Sequence, residues 1–189
     1  MTGLMAVFAD LPALETERLL LRRLTLADAE DVYAYSRDPE VARYTSWGTH
    51  TSIAQSRHFL AWCVERYGVG GVAPWGLVLK ATGRVIGSGG FVNWNLGNDR
   101  AEIGYTLARA HWGRGLVPEA MRAALEFGFT RMDLHRVEAR CLVGATASAR
   151  VMEKIGMRFE GVVREGMLVK GRYEDFKVYA ILRREWAGR

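Results

Sequence analysis

The fold is decided by residues 102–129, EIGYTLARAHWGRGLVPEAMRAALEFGF. Residues 102–107 read as a strand: short, with β-branched and aromatic side chains. Gly104 lies inside it, where a glycine marks a bulge or the close approach of a second backbone. Gly113, Arg114 and Gly115 then make a tight turn. From Leu116 onward the apolar positions Val117, Met121, Ala124, Leu125 and Gly128 follow the i, i+4, i+7, i+8, i+11 spacing of one helix face. Pro118 falls in the first turn, where its missing N–H costs little.

A glycine turn that opens a helix can hold an anion. The first N–H groups of the helix have no internal partner, and the macrodipole adds partial positive charge. Arg114 adds a full charge beside them. An ordinary strand–turn–helix connection also uses glycine, and the spacing alone leaves both readings open. The turn is not a Walker A loop, because no Gly-Lys-Ser/Thr follows. It is not the dinucleotide fingerprint, because Pro118 stands at the place of the third glycine.

Working outward toward the N-terminus, residues 17–24 (ERLLLRRL) form the first strand. Thr25 caps a helix through Tyr35, with Asp28 as its acidic partner. Asp38 and Pro39 restart the chain into a short helical turn. Residues 45–49 are a polar loop holding Trp47, and Thr51 or Ser52 caps a further helix through about Arg66. The period then changes to two, and residues 75–80 and 85–92 form a hairpin. Toward the C-terminus, residues 135–143 alternate and 146–155 form a short helix ending at Gly156. Residues 157–169 and 172–183 form a last hairpin turning at Lys170 and Gly171. The pattern predicts one α/β domain, residues 16–189, around a mixed, largely antiparallel sheet flanked by helices, behind a loose leader of residues 1–15.

The 189 residues are 49% hydrophobic and 25% charged, an ordinary balance for one globular domain with a full core. No apolar run reaches the ~18–20 residues that span a bilayer, which argues against a membrane protein. The net charge of +5 is diffuse; it suits an anionic cofactor or an acidic partner surface. No basic run with interleaved aromatics marks a nucleic-acid groove. Cys63 and Cys141 both lie in apolar contexts and are too few for a disulfide framework, so they read as buried free thiols in a reducing, cytoplasmic setting.

The central stretch resembles motif A of the GNAT acetyltransferases, in the branch typified by the RimJ and RimL protein N-acetyltransferases. That branch usually reads Trp-Gly-x-Gly-x-Ala-x-Glu-Ala; here the same places hold Trp112, Gly113, Arg114, Gly115, Leu116, Val117, Pro118, Glu119 and Ala120. Val117 departs at the small-residue position, where it either crowds the cofactor or points into the core. LETERLLLRRLTLADAEDVYAYSRDPEVARYTSW resembles the family's opening, RVEARCLVGATASARVMEKIGMRFEG its second cofactor motif, and EGMLVKGRYEDFKVYAILRREW its closing hairpin. The resemblance implies a GNAT-type sheet splayed between its fourth and fifth strands, here 101–107 and 135–143, with pantetheine in the gap. It implies that acetyl-CoA is the cosubstrate, with its pyrophosphate on the amides of residues 113–117.

Acetyl transfer from a thioester to an amine needs an anchored cofactor, a polarised carbonyl, a neutral amine and, helpfully, a proton for the departing thiolate. By resemblance, Leu107 pairs through its backbone with pantetheine and the Tyr105 N–H faces the thioester oxygen. Also by resemblance, Ser148 lies near the sulfur as proton donor, although a serine at a helix start also serves as a cap. Ala145 occupies the place of the family's Asn, which removes one side-chain hydrogen bond to the pantetheine arm. Glu102, on the splayed strand, is the first candidate for the base. Some relatives place a glutamate near where this chain has Met167, so that base is unmatched here. Asp175 reads as structural. The four histidines do not pair with Cys or carboxylates at ligand spacing, and no metal is expected.

These features imply an acetyl-CoA-dependent N-acetyltransferase acting on a primary amine, a protein or peptide α-amine by resemblance, through direct attack in a ternary complex. The alternatives are a small-molecule amine acetyltransferase and a non-catalytic acyl-CoA-binding module, with monomer and homodimer both open.

Overall fold

A computed structural model of the chain describes residues 6–187. The alternating stretches form β1 (Leu14–Glu15), β2 (Leu19–Arg22), β3 (Trp75–Leu79), β4 (Arg84–Asn95), β5 (Arg100–Leu107), β6 (Arg136–Leu142), β7 (Arg158–Val169) and β8 (Arg172–Leu182). The helices are α1 (Ala6–Ala9), α2 (Ala29–Ser36), α3 (Pro39–Ala42), α4 (Ile53–Gly68), α5 (Leu116–Thr130), α6 (Thr146–Lys154) and α7 (Arg183–Trp186). One sheet runs in the order β1-β2-β3-β4-β5-β6-β8-β7. Among the described pairs, β5 and β6 run parallel and the others antiparallel. The expected splayed pair is therefore β5 and β6 in this count, because the two-residue β1 adds a strand that the sequence pattern does not show.

The core is built where α5 lies on the sheet. Val117, Met121, Ala124, Leu125 and Gly128 are all buried, as their spacing predicts. Trp75 of β3 is fully buried, edge-on to Phe127 of α5 at 5.6 Å and tilted on Phe91 of β4 at 6.1 Å. A Cβ on Gly90, at φ +134°, would stand 2.5 Å from the Trp75 ring, so glycine there makes room for the indole. Losing a ring of this kind costs about 3–5 kcal/mol.

The leader is a correction. Phe8, in α1, is fully buried against Phe91 at 6.3 Å and Trp94 at 5.6 Å, and Pro12 accepts a 2.8 Å hydrogen bond from the Trp75 indole. Aromatic burial, not periodicity, orders this stretch. Residues 1–5 lie outside the described residues.

The bulge expected at Gly104 lies on the partner strand instead. The β4–β5 register shifts between Phe91 and Asn93, and a Cβ on Gly104 would meet Val92 at 3.1 Å. Gly104 thus accommodates the extra residue of its neighbour. The last hairpin turns where predicted: Lys170 and Gly171 both have positive φ, at 49° and 82°, the geometry that matches strand twist in a two-residue turn.

Candidate functional site

The site begins where the sheet forks. β5 and β6 pair from Arg100↔Arg136 to Ile103↔Ala139 and no further. Beyond that point Arg140–Leu142 stays with β8 alone, and residues 104–107 stay with β4. The Ala108 N–H donates to the Ile86 carbonyl at 2.8 Å. Antiparallel ladders alternate bonded and non-bonded pairs, so Thr106 and Gly104 also turn their backbone groups to β4. Tyr105 and Leu107 therefore turn theirs toward the gap. The Leu107 carbonyl accepts from the Trp112 indole at 2.7 Å, which fixes Trp112 beside the fork.

Next to the gap stands the glycine turn. Gly113 and Gly115 have φ of 74° and 76°, a region that costs other L-residues roughly 1–2 kcal/mol. Gly115 is the residue that opens α5. Backbone N–H groups of residues 113–117 donate to no backbone carbonyl among the described residues, and a Cβ on Gly113 would meet nothing within 4 Å. The turn is an open cradle of donors at a helix N-terminus, which is a fitting seat for a pyrophosphate. Val117 is 8% exposed and belongs to the core, so its larger side chain turns inward and away from the cradle. Arg114 reaches sideways, its Nη1 3.2 Å from His111 Nδ1.

The turn is braced by Thr16 and Arg18, which the sequence does not single out, acting on the motif residue Glu119. Glu119, in the first turn of α5, accepts from Thr16 Oγ1 at 2.6 Å, the Arg18 N–H at 2.8 Å and Arg18 Nε at 2.7 Å. Arg18 Nη2 lies 2.6 Å from the same carboxylate, and Arg18 Nη1 donates to the Arg114 carbonyl at 2.9 Å. Burial raises the pKa of the Glu119 carboxyl, but the donors from Thr16 and Arg18 outweigh it and hold it below the ordinary value.

Across the gap, α6 presents Ser148. The N-cap of α6 is Ala145, which is buried and donates its N–H to Leu142. Ser148 is the third residue of the helix and its hydroxyl points elsewhere, so the cap reading does not hold. The Tyr105 hydroxyl lies 2.9 Å from the Ser148 carbonyl and 3.0 Å from its Oγ. Burial pushes the Tyr105 phenol above its usual pKa, with the Ser148 hydrogen bond opposing; it stays protonated and can donate. The sequence pointed to the Tyr105 backbone, and its side chain is an addition.

Glu102 turns to the opposite face of β5 from Tyr105 and Leu107, by strand alternation. It stands beside Glu138, its register partner on β6, and 3.6 Å from Arg140 Nε. Burial raises the Glu102 pKa; Arg140 works against this and Glu138 adds to it. Glu138 itself is buried and is met by Arg136 Nε at 2.8 Å and Arg100 Nη1 at 3.4 Å. The last hairpin projects past the opposite, Leu142 end of β6. Lys170 Nζ donates to the Ala42 carbonyl at 2.5 Å, and Tyr44 packs over Gly144. Met167 lies opposite Glu174 in this hairpin.

Among the described residues, no group of three or more His, Cys, Asp and Glu side chains could hold a metal ion, and no helix is long and apolar enough to cross a membrane.

Comparison with known proteins matches residues 18–158 to the acetyltransferase (GNAT) domain model. An uncharacterized N-acetyltransferase of Bacillus licheniformis, p20, is 36% identical over 93% of this chain and 98% of its own. A GNAT-family acetyltransferase structure from Bacillus anthracis superposes with a TM-score of 0.82 at 31% identity, covering 92% of this chain and 99% of that one. The ribosomal-protein-serine acetyltransferase of Escherichia coli is 30% identical over 44% of this chain and 46% of its own.

Proposed function

The chain belongs to the GNAT family and is an acetyl-CoA-dependent N-acetyltransferase, and on that premise we propose that it acetylates a protein or peptide α-amine in the RimJ/RimL manner, by direct attack in a ternary complex. The observation that carries this reading is the two-sidedness of the fork. Tyr105 and Ser148 stand on one face of β5 and Glu102 on the other, with the backbone groups of Tyr105 and Leu107 between them.

The residues fit the cosubstrate. The amides of Gly113, Arg114, Gly115, Leu116 and Val117 hold the pyrophosphate, and the Leu107 N–H pairs with the pantetheine arm where the sheet has lost its neighbouring strand. Trp112 keeps the Leu107 carbonyl occupied, and Ala145 lines the arm without a polar side chain. The Tyr105 N–H points at the thioester oxygen, where a fixed donor is worth most as negative charge develops. Ser148, oriented by Tyr105, gives a proton to the departing sulfur.

The amine comes from the Glu102 face. Glu102 is bound to Arg140 and is a weak base for a fully charged amine. An α-amino group with pKa about 8 is roughly one-tenth neutral at pH 7, whereas a lysine at about 10.4 is neutral roughly once in a few thousand. A site with this base suits the α-amine. The likeness to a ribosomal-protein-serine acetyltransferase supports the same acceptor class, and two buried free cysteines support a reducing, cytoplasmic setting.

Thiol release from acetyl-CoA against a panel of amines tests the reading. Release with peptides bearing a free N-terminus is expected. Release with small amines alone moves the acceptor to a small molecule. Coenzyme A binding without release on any amine would make the protein a non-catalytic acyl-CoA-binding module.

A further inference from the structure

A helix that receives an anion at its N-terminus gains nothing from a carboxylate in its first turn. Yet α5 carries Glu119 there, one turn from the glycine cradle. At that distance its charge and a pyrophosphate repel each other and compete for the same helix end. The side chain is drawn back toward the start of β2 instead. Its two oxygens take four contacts: from the Thr16 hydroxyl, the Arg18 N–H, Arg18 Nε and Arg18 Nη2.

Arg18 does a second thing with its remaining nitrogen. Nη1 holds the Arg114 carbonyl at 2.9 Å. In a planar trans peptide the carbonyl and the following N–H point in opposite directions. Fixing the Arg114 carbonyl toward Arg18 therefore fixes the Gly115 N–H away from it, into the cradle. One guanidinium both cancels the unwanted charge and aims a donor, using the planar fork that lysine lacks.

We propose that Arg18 is the positioning residue of the pyrophosphate cradle: it neutralises Glu119 and, through the Arg114 carbonyl, orients the Gly115 amide toward the phosphates. The proposal rests on the cradle being the cosubstrate site.

The test is calorimetric titration of coenzyme A into the full chain, with steady-state kinetics alongside. Arg18→Met is expected to weaken coenzyme A at least tenfold and to raise KM for acetyl-CoA to match, while kcat stays within about twofold. Adding Glu119→Gln to Arg18→Met should recover a large part of that loss, since the repelling charge is gone. Arg18→Lys, which keeps the charge and the fold but cannot span both partners, should fall between wild type and Arg18→Met. A purely structural brace predicts the reverse: Glu119→Gln alone as damaging as Arg18→Met, no recovery in the double variant, and a loss seen in Tm. That pattern, or wild-type affinity in a folded Arg18→Met or Arg18→Lys protein, overturns the proposal while leaving the enzyme assignment intact. A wild-type protein that does not bind coenzyme A overturns the cradle itself.

Discussion

The Tyr105 hydroxyl stands 2.9 Å from the carbonyl oxygen of Ser148 and 3.0 Å from its Oγ. A neutral phenol has one proton. Given to the serine Oγ, it leaves the hydrogen of Ser148 itself free to point into the fork. Ser148 is then aimed by a residue of β5 across the fork, and its rotamer is set by the very strand that borders the gap.

Ser148→Ala is expected to lower kcat by roughly ten- to a hundred-fold with little change in KM for acetyl-CoA, at the low end of what a general acid supplies because a thiolate is already a fair leaving group. Tyr105→Phe removes the aiming group and keeps the acid, so its loss in kcat should be smaller. Steady-state kinetics of both, with melting temperatures as a control on folding, decide the matter; full turnover in Ser148→Ala would remove it from the chemistry.

Gly115→Glu should abolish coenzyme A binding in a folded protein. A Cβ there meets nothing closer than Arg18 Nη2 at 3.6 Å, so space is not the obstacle. The new carboxylate would sit in the cradle and compete for Arg18. The positive φ costs about 1–2 kcal/mol, which lowers Tm by only a few degrees in a chain of this size. Calorimetry that finds unchanged affinity would put the phosphates elsewhere.

Glu102 has a stability signature as well as a kinetic one. Its pKa is raised in the fold, chiefly by burial, so the folded chain holds this proton more tightly than the unfolded one. The stabilising contribution is complete below the unfolded carboxyl value of about 4.3 and is lost as pH rises through the folded value. At neutral pH the ionised group is a burden to the fold. Glu102→Gln, which stays neutral, should therefore melt higher than wild type at pH 7, with the gap narrowing toward pH 4. Thermal melts at both pH values check this. If Glu102 is the base, the acidic limb of the kcat/KM profile should vanish in the same variant.

The acceptor assignment predicts faster transfer to a lysine-free peptide with an open N-terminus than to an N-blocked peptide with one lysine. The difference in neutral amine alone is a few hundred-fold at pH 7. A pH–rate comparison of the two peptides measures it, and faster acetylation of the blocked lysine peptide would defeat the α-amine reading.

What the sequence made legible were the constraints that one or two neighbouring residues impose. Gly113 and Gly115 announce positive φ, the spacing of Val117, Met121 and Leu125 announces a buried face, and alternation marks 135–143. What it hid were contacts made across the chain. Arg18 and Glu119 are 101 residues apart, and nothing local in ETERL says where that arginine goes. Phe8 is a core residue only because Phe91 and Trp94 meet it, and the Tyr105 side chain finds Ser148 43 residues on. Ser148 itself was legible as a residue and not as a geometry: its place three residues into α6 depends on where the helix begins.

Lys170 closes a span of 128 residues when its ammonium caps the carbonyl at the end of α3. This clasp joins the last hairpin to an early loop, and neither partner belongs to the glycine turn or to α5. Lengthening or reshaping the hairpin tip would thus change the surface beside α3 and leave the glycine turn in place.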